Sequence, residues 1–112
     1  MIKRLEAPVL YVTDIGRSVA FYTGHLGFAV VHDSGDFVTL SVGGTKVALN
    51  RSDGKDKSPG AQTIILVSDA IVEDYQYMVT SGVEIDLPLG DLGYGRTFIV
   101  RDCDGNKVEV IE

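Results

Sequence analysis

The stretch VLYVTDIGRSVAFYTGHLGF, residues 9–28, carries the signals of a strand that runs directly into a helix. It opens with VLYV, which is apolar and rich in β-branched residues, as is typical of a buried strand. Asp14 then stands where a helix N-cap is expected, and Gly27 suits the left-handed position that ends a helix. Between them, apolar residues recur at near-helical spacing: Ile15, Val19, Tyr22 and Leu26. The stretch therefore predicts a strand followed by a capped helix.

A second, weaker copy of this stretch lies 55 residues further along the chain. The residues that recur at that offset are Val12, Asp14, Tyr22 and Gly27, which become Val67, Asp69, Tyr77 and Gly82. A block near the end of each half recurs at an offset of 61, where Gly44, Lys46 and Val47 become Gly105, Lys107 and Val108. Because both blocks occur in the same order, the sequence indicates an internal duplication. It predicts a strand over residues 63–67 and a second helix that Asp69 caps and Gly82 ends.

Short alternating segments follow each predicted helix, and turns rich in glycine and aspartate separate them. They predict three strands in each half, over residues 28–32, 37–42 and 46–49 and over residues 83–87, 97–101 and 107–111. The architecture is then βαβββ twice, which is an α+β fold. We therefore predict one domain over residues 1–112, made of module one (1–50), a polar linker (51–60) and module two (61–112).

The composition limits the class of protein and its partners. The chain has 112 residues, 45% of them hydrophobic, and a formal net charge of -6. This is typical of one folded globular domain, and it disfavours nucleic acid as a partner because nucleic acid binds basic surfaces. The single cysteine, Cys103, excludes an intrachain disulfide, so we expect the reducing environment of the cytoplasm. No apolar run approaches the roughly 20 residues of a spanning helix, so we expect no membrane partner.

The stretch 9–28 and the ending RDCDGNKVEVIE, residues 101–112, together resemble a known family. The first is similar to the strand, capped helix and FYxxxLGF segment of the vicinal oxygen chelate superfamily, and the second to its DPDGNxIEL ending. This superfamily contains glyoxalase I, bleomycin resistance proteins and extradiol dioxygenases. The resemblance implies paired βαβββ modules whose mixed sheets curl around a cleft, in a homodimer. It does not imply one activity, because members include lyases, isomerases, dioxygenases and binding proteins.

In metal-dependent members of this superfamily, four side chains from the first and last strand of each module bind one cation. Counting seven residues back from each capping aspartate places the first-strand positions at Ala7 and Gln62. The shared GxKV segments place the last-strand positions at Ala48 and Glu109. A divalent cation prefers about six oxygen or nitrogen ligands, which this set does not supply. We therefore expect no cofactor, the alternative being a weakly bound divalent metal at Gln62 and Glu109.

Two histidines, His25 and His32, lie outside these four positions. The 2-His-1-carboxylate triad of Fe(II) oxygenases is then missing, which disfavours extradiol dioxygenase activity. Glu109 is the candidate catalytic base, and also a candidate ligand-binding carboxylate. It interrupts an apolar run, where a carboxylate is costly unless it is paired or faces a cleft. The alternative for Glu109 is an ordinary strand residue facing solvent.

Two aromatic residues and one arginine complete the candidate ligand site. Tyr11 shares a strand face with Ala7 by the period of two, so it faces the predicted cleft and can stack on a planar ligand. Tyr94 and Arg96 lie in the glycine-rich segment 89–96, LGDLGYGR, which is typical of loops that close over a ligand. There Arg96 offers a bidentate donor to a carboxylate or phosphate. The alternatives are a tyrosine packed at the sheet margin and a plain connection with an exposed arginine.

Three classes of function remain open from the sequence. The first is a small-molecule-binding protein of the bleomycin-resistance type, whose metal-free cleft holds an aromatic or amphipathic ligand and for which the resemblance suggests an antibiotic-sequestering role. Its ligand-binding residues are Tyr11, Gln62, Tyr94, Arg96 and Glu109. The second is a lyase or isomerase related to glyoxalase I, with Glu109 as base and Gln62 assisting, with or without a metal. The third is a structural domain that only dimerises.

Overall fold

The computed structural model describes residues 1–112 and contains two compact units, Met1–Pro59 and Gly60–Glu112. The elements of the first unit are β1 (Val9–Val12), α1 (Ile15–Gly24), β2 (Ala29–Asp33), β3 (Phe37–Val42) and β4 (Thr45–Arg51). The elements of the second unit are β5 (Thr63–Val67), α2 (Ile71–Thr80), β6 (Ile85–Asp91), β7 (Arg96–Arg101) and β8 (Lys107–Ile111). The predicted α+β class and the βαβββ repeat are therefore confirmed.

The two sheets have the same strand order, β1-β4-β3-β2 in the first unit and β5-β8-β7-β6 in the second. In each sheet the first strand pairs with the last in parallel, and the other pairs are antiparallel. The helix and the two intervening strands supply the long connection that a parallel pair needs. This shared order is what an internal duplication produces. Neither helix is long and apolar enough to cross a membrane.

Each helix covers one face of the sheet in its own unit. In the first unit α1 packs against β2, β3 and β4, and Tyr22 is fully buried among them. The Tyr22 ring meets the ring of Phe28 edge-on, with centroids 5.6 Å apart. In the second unit α2 packs against β6 and β7, and Tyr75 contacts Phe98 with ring centroids 5.2 Å apart. The opposite face of each sheet therefore carries no helix of its own unit.

The two helices are offset by 56 residues, not by the 55 that the sequence identities indicate, since α1 begins at Ile15 and α2 at Ile71. The structural counterpart of Asp14 is therefore Ala70. Asp14 caps α1 because its Oδ1 accepts the backbone N–H of Arg17 at 3.1 Å, whereas the Ala70 side chain caps nothing. The prediction that Asp69 caps the second helix is wrong, because Asp69 lies one residue before the N-cap position.

Ser68 supplies a hydrogen-bond acceptor for the backbone at the start of α2, in place of a capping side chain at Ala70. Its Oγ accepts the backbone N–H of Ala70 at 2.9 Å and donates to Asp74 Oδ2 at 2.5 Å. Ser68 is buried, and Asp74 lies in the first turn of the helix. The hydroxyl therefore ties the end of β5 to α2 through two hydrogen bonds.

The first strands of the two units are offset by 56 residues as well. Val12 and Ser68 are both buried on the side of the helix, and each lies two residues before an N-cap, Asp14 or Ala70. The pairing agrees, because Leu10 lies opposite Leu49 in the first sheet and Leu66 lies opposite Val110 in the second. Leu49 and Val110 are counterparts at the offset of 61 seen in the last strands.

The strand offset changes which residue corresponds to Ala7. Its counterpart is Thr63 rather than Gln62, and in a strand a slip of one residue moves a side chain to the other face. The offset returns to 55 after the helix, where Gly27 and Gly82 both have positive φ angles, of 73° and 76°. The second unit is therefore one residue shorter than the first at the end of its helix.

Residues 51–60 contain a hydrogen-bonded turn instead of an irregular linker. Arg51 still belongs to β4, and Ser52 Oγ donates to the carbonyl oxygen of Lys57 at 2.6 Å. Asp53 Oδ1 accepts three backbone N–H groups, at 2.8 to 3.2 Å. The N–H group of Lys55 makes the largest contribution to a pKa of Asp53 that lies below its ordinary value.

Candidate functional site

The sheet of the second unit presents one face to α2 and leaves the other free of helix. Val108 and Val110 of β8 are buried on the α2 side, as are Phe98 and Val100 of β7. Side chains alternate along a strand, and the observed pairing fixes which of them share a face. The opposite face, called the helix-free face below, consists of Thr63, Ile65 and Val67 of β5, Thr97, Ile99 and Arg101 of β7, and Lys107, Glu109 and Ile111 of β8.

Two apolar residues at the margin of the helix-free face are largely exposed. Ile65 keeps 60% of its surface in solvent and Val67 keeps 77%. Both lie on β5, the edge strand of the sheet. Isolated exposed apolar residues are ordinary, but these two are neighbours on one strand face and adjoin the half-buried Ile99 and Ile111. Together the four residues form a continuous apolar surface on one strand face.

Glu109 lies in the middle of this apolar surface. It pairs with Ile65 on one side and Ile99 on the other, and it is half-buried. Its Oε2 lies 3.2 Å from Thr97 Oγ1, but that hydroxyl also lies 2.9 Å from the carbonyl oxygen of Val110. A threonine hydroxyl has one hydrogen, and the shorter, buried bond to Val110 competes for it. The Thr97 hydroxyl is therefore the donor to Glu109, and Glu109 shares it with the carbonyl oxygen of Val110.

The two cations of the helix-free face are directed away from Glu109. Arg101 binds Asp86 with Nε and Nη2, at 2.8 and 2.7 Å, and lies 3.6 Å from Glu84. Lys107 Nζ lies 3.8 Å from the same Asp86 carboxylate. Two cations thus face two carboxylates, and their charges balance. The charge of Glu109 is left without a partner.

Gln62 does not lie on the helix-free face. It precedes Thr63, so by the alternation of side chains along a strand it shares a face with Ile64 and Leu66, which point to the α2 side. Its backbone N–H donates to Asn106 Oδ1 at 3.0 Å, while its side-chain Oε1 is buried without a hydrogen-bond donor. The structure therefore does not bring Gln62 and Glu109 together, and Thr63 is the residue that shares a face with Glu109.

Arg96 also lies away from the helix-free face. Arg96 is in step with Phe98 on the α2 side, and its Nε and Nη2 bind Glu112 Oε2 at 3.0 and 2.7 Å. This side-chain hydrogen bonding raises the pKa of Arg96 and lowers that of Glu112. Its bidentate donor is thus occupied within the chain. Tyr94 lies in the turn between β6 and β7 and is 71% exposed.

Arg96 and Glu112 line a surface cavity of about 540 Å³ together with the start of α2, from Ser68 to Glu73. Its charged side chains are mostly acidic: Asp69, Glu73 and Glu112 beside one arginine. Because that arginine is already paired with Glu112, the cavity offers no free cation to an anionic ligand.

Tyr11 belongs to the first unit, where it lies on the helix-free side of that sheet. It pairs with Asn50 on β4 and shares its face with Val9, which pairs with Ala48. Tyr11 is half-buried, and Leu10 and Val12 beside it point into the α1 core. The predicted strand face of Tyr11 therefore agrees with the pairing, and its contact with a ligand stays a prediction.

Thr97 and the two exposed apolar residues, Ile65 and Val67, were not among the site residues predicted from the sequence. One signal for the apolar pair was present, because TIILV, residues 63–67, is apolar at every position after the threonine. A strand covered on one side needs apolar residues only at alternate positions. Nothing local marks Thr97, whose contact with Glu109 depends on the pairing of β7 with β8.

Comparison with known proteins identifies the family. The family model for the Glyoxalase/Bleomycin resistance protein/Dioxygenase superfamily matches residues 4–110. The chain belongs to this superfamily. The chain is also similar to a curated protein, Virulence protein STM3117 of Salmonella typhimurium, which is 26% identical over 121 residues, covering 98% of this chain and 84% of that protein.

Solved structures show the same superfamily fold. A protein of unknown function from Agrobacterium tumefaciens has a TM-score of 0.82 and 25% identity, covering 100% of this chain and 95% of that one. TnmS3, an antibiotic binding protein from Streptomyces sp. CB03234, also has a TM-score of 0.82, with 22% identity over 98% of this chain and 95% of that one. The second likeness concerns the fold alone.

The residues of this superfamily member do not fit a divalent-metal centre. With the corrected offset, the four family positions hold Ala7, Ala48, Thr63 and Glu109, which supply one carboxylate and one hydroxyl. No three His, Cys, Asp or Glu side chains come together anywhere in the chain. A divalent cation needs about six ligands, most of them charged or strongly polar. No step of a reaction is therefore assigned to a metal here.

Proposed function

We propose that this superfamily member binds a small aromatic or amphipathic molecule on the helix-free face of its second sheet. The observation that carries the proposal is the exposed pair Ile65 and Val67 beside the carboxylate of Glu109, whose donor is the shared Thr97 hydroxyl and which forms no ion pair. Ligand sites are mostly apolar surfaces with a small number of polar groups that fix orientation, and this face has that composition.

The exposed apolar residues account for part of the binding energy. Fully burying one such side chain contributes about 1.5–3 kcal/mol. Scaled by the exposed fractions of 60% and 77%, covering Ile65 and Val67 contributes roughly 2–4 kcal/mol before the costs of association. Micromolar binding requires about 8 kcal/mol, so further contacts must come from the half-buried isoleucines and from Glu109. The ligand is therefore expected to be amphipathic rather than purely apolar.

The fold is compatible with sequestration of an antibiotic or similar compound. TnmS3, which has this fold, is an antibiotic binding protein. A sequestering protein needs a shaped surface and no reacting groups, and the residues at the four family positions supply no metal centre. Sequestration is therefore the form of binding that we propose.

Fluorescence titration with Nile red, an uncharged apolar dye, tests the location of binding. We expect saturable binding that Ile65→Gln weakens by about 10-fold, since a polar side chain would lie under the ligand. Val79→Gln is the matched control, because Val79 is 51% exposed but lies on α2. Absence of saturable binding, or the same loss in both variants, would contradict the proposal.

A lyase or isomerase reaction is the second candidate function. It is favoured by the half-buried carboxylate of Glu109, because a carboxylate at a ligand-binding surface is a candidate general base. NMR in deuterium oxide tests it with an α-hydroxyketone as probe. Catalysis would be supported if the protein speeds exchange of the proton on the carbon beside the carbonyl and Glu109→Gln abolishes that exchange. Exchange no faster than in buffer would exclude this reaction for the probe class.

A further inference from the structure

We infer that the ligand of the helix-free face is an apolar cation, such as a protonated amine, and that Glu109 is the residue that selects it. The inference rests on the proposed function and goes beyond it by naming the charge of the ligand. Four observations support it: the missing partner of Glu109, its apolar neighbours, the balanced charges around it and the acidity of the whole chain.

The carboxylate of Glu109 has unused capacity to accept hydrogen bonds. Its Oε1 accepts none, and its Oε2 shares the one hydroxyl hydrogen of Thr97 with the carbonyl oxygen of Val110. A carboxylate has about four acceptor sites, whereas a primary ammonium group has three donors and no acceptor. The two groups are complementary in both charge and hydrogen bonding.

The neighbours of Glu109 make an unpaired charge costly. Ile65 and Ile99 flank it across the sheet, and Ile111 follows it on the same strand face. Apolar neighbours displace water from a carboxylate, and a partly desolvated charge gains more from a partner than one in bulk water. A ligand that covers the isoleucines would remove more water and increase the need for a cationic group.

The other charged groups near this face are already balanced. Arg101 is bound to Asp86 and lies 3.6 Å from Glu84, and Lys107 lies 3.8 Å from Asp86, so both cations already face carboxylates. The chain as a whole carries a formal charge of -6, which attracts small cations and repels anions. Local and overall electrostatics therefore favour the same ligand charge.

Three probes with the same apolar body test the inference: phenylbutylamine, phenylbutanol and phenylbutanoate. Binding to the full chain is measured by NMR titration of methyl and amide signals. A charge-assisted hydrogen bond strengthens binding by about 10-fold or more, so the amine should bind at least 10-fold more tightly than the alcohol, and the carboxylate most weakly. Glu109→Gln should bring the amine to within about 3-fold of the alcohol and leave the affinity for the alcohol unchanged.

Glu73→Gln is the matched control, because it removes the same charge from α2. It should leave the preference for the amine intact, whereas an equal loss in both variants would show that only the overall charge matters and would overturn the inference. If the amine and the alcohol bind the wild type equally and Ile65→Gln weakens both, the proposed function stands and the inference fails. If no probe binds, the proposed function fails as well. The unfolding midpoint of each variant confirms that it is folded.

Discussion

Ser68→Ala is predicted to destabilise the second unit strongly, whereas Asp69→Ala is predicted to have little effect. Ser68 Oγ accepts the Ala70 N–H and donates to the Asp74 carboxylate. Loss of a capping acceptor costs about 1 kcal/mol, and loss of a hydrogen bond to a charged group about 1.5–3 kcal/mol. Because the two effects share one hydroxyl, we expect a combined loss of about 2–3 kcal/mol.

Asp69 is the residue that the sequence identities select as the cap, and it is exposed. Its replacement by alanine should change stability by less than about 0.5 kcal/mol. Urea denaturation followed by circular dichroism measures both variants, with an unchanged m-value as the criterion that only stability has changed. In thermal scans Ser68→Ala should lower the Tm by about 10–15 °C. A loss for Asp69→Ala as large as that for Ser68→Ala would refute the offset of 56 and restore the sequence-based alignment.

Three further predictions follow from the fold. Met78→Ala should lower the free energy of unfolding by about 2–5 kcal/mol in urea denaturation, and Tyr77→Ala by less than about 1 kcal/mol, because Met78 is buried and Tyr77 is 46% exposed. The reverse order would contradict the placement of α2. Gly60→Ala should destabilise by at least about 1–3 kcal/mol, since its φ is +83° and a Cβ would lie 2.3 Å from a carbonyl oxygen, whereas Gly24→Ala, which meets nothing within 4 Å, should be neutral or stabilising. The folded-state pKa of Glu112 lies below 4.5, so its ion pair with Arg96 stabilises the fold above that pH and is lost as the pH falls through the folded pKa. The free energy of unfolding of Glu112→Gln should therefore depend less on pH in that window. An unchanged pH dependence would contradict the ion pair.

The order of elements was predictable from the sequence because each element carries its own local signals. β3 and β8 have the bounds that the alternating segments predict, and Gly27 and Gly82 take the positive φ angles expected after a helix. These signals depend on neighbouring residues alone, so they do not require knowledge of the rest of the chain.

The offset between the halves was not predictable in the same way. Three identities, Val67, Asp69 and Tyr77, fall at 55 residues by coincidence, while burial follows 56. Tyr22 is fully buried and its true counterpart is Met78, a residue of different chemistry that fills a similar place. Packing depends on the volume and apolarity of a side chain rather than on its identity, so the offset between two repeats can change by one residue without a signal in the sequence identities.

The candidate site depended on that offset. Since a slip of one residue changes the face of a strand, the error placed Gln62 where Thr63 lies. Contacts between distant residues were also invisible in the sequence, such as the ion pair that joins Arg96 to Glu112 across β7 and β8. Glu109 keeps its predicted position because the offset of 61 between the last strands, which pairs it with Ala48, agrees with the observed strand pairing.

The central claim is that a ligand binds on the helix-free face of the second sheet, with its cationic group at Glu109. Intermolecular NOE measurements between phenylbutylamine and the methyl-labelled protein distinguish the two surfaces, because Ile65 and Val67 mark the helix-free face and Ile71 and Val72 mark the cavity. We expect contacts from the aromatic ring to the methyl groups of Ile65 and Val67. Contacts to Ile71 and Val72 instead, which line the cavity beside Arg96 and Glu112, would contradict it.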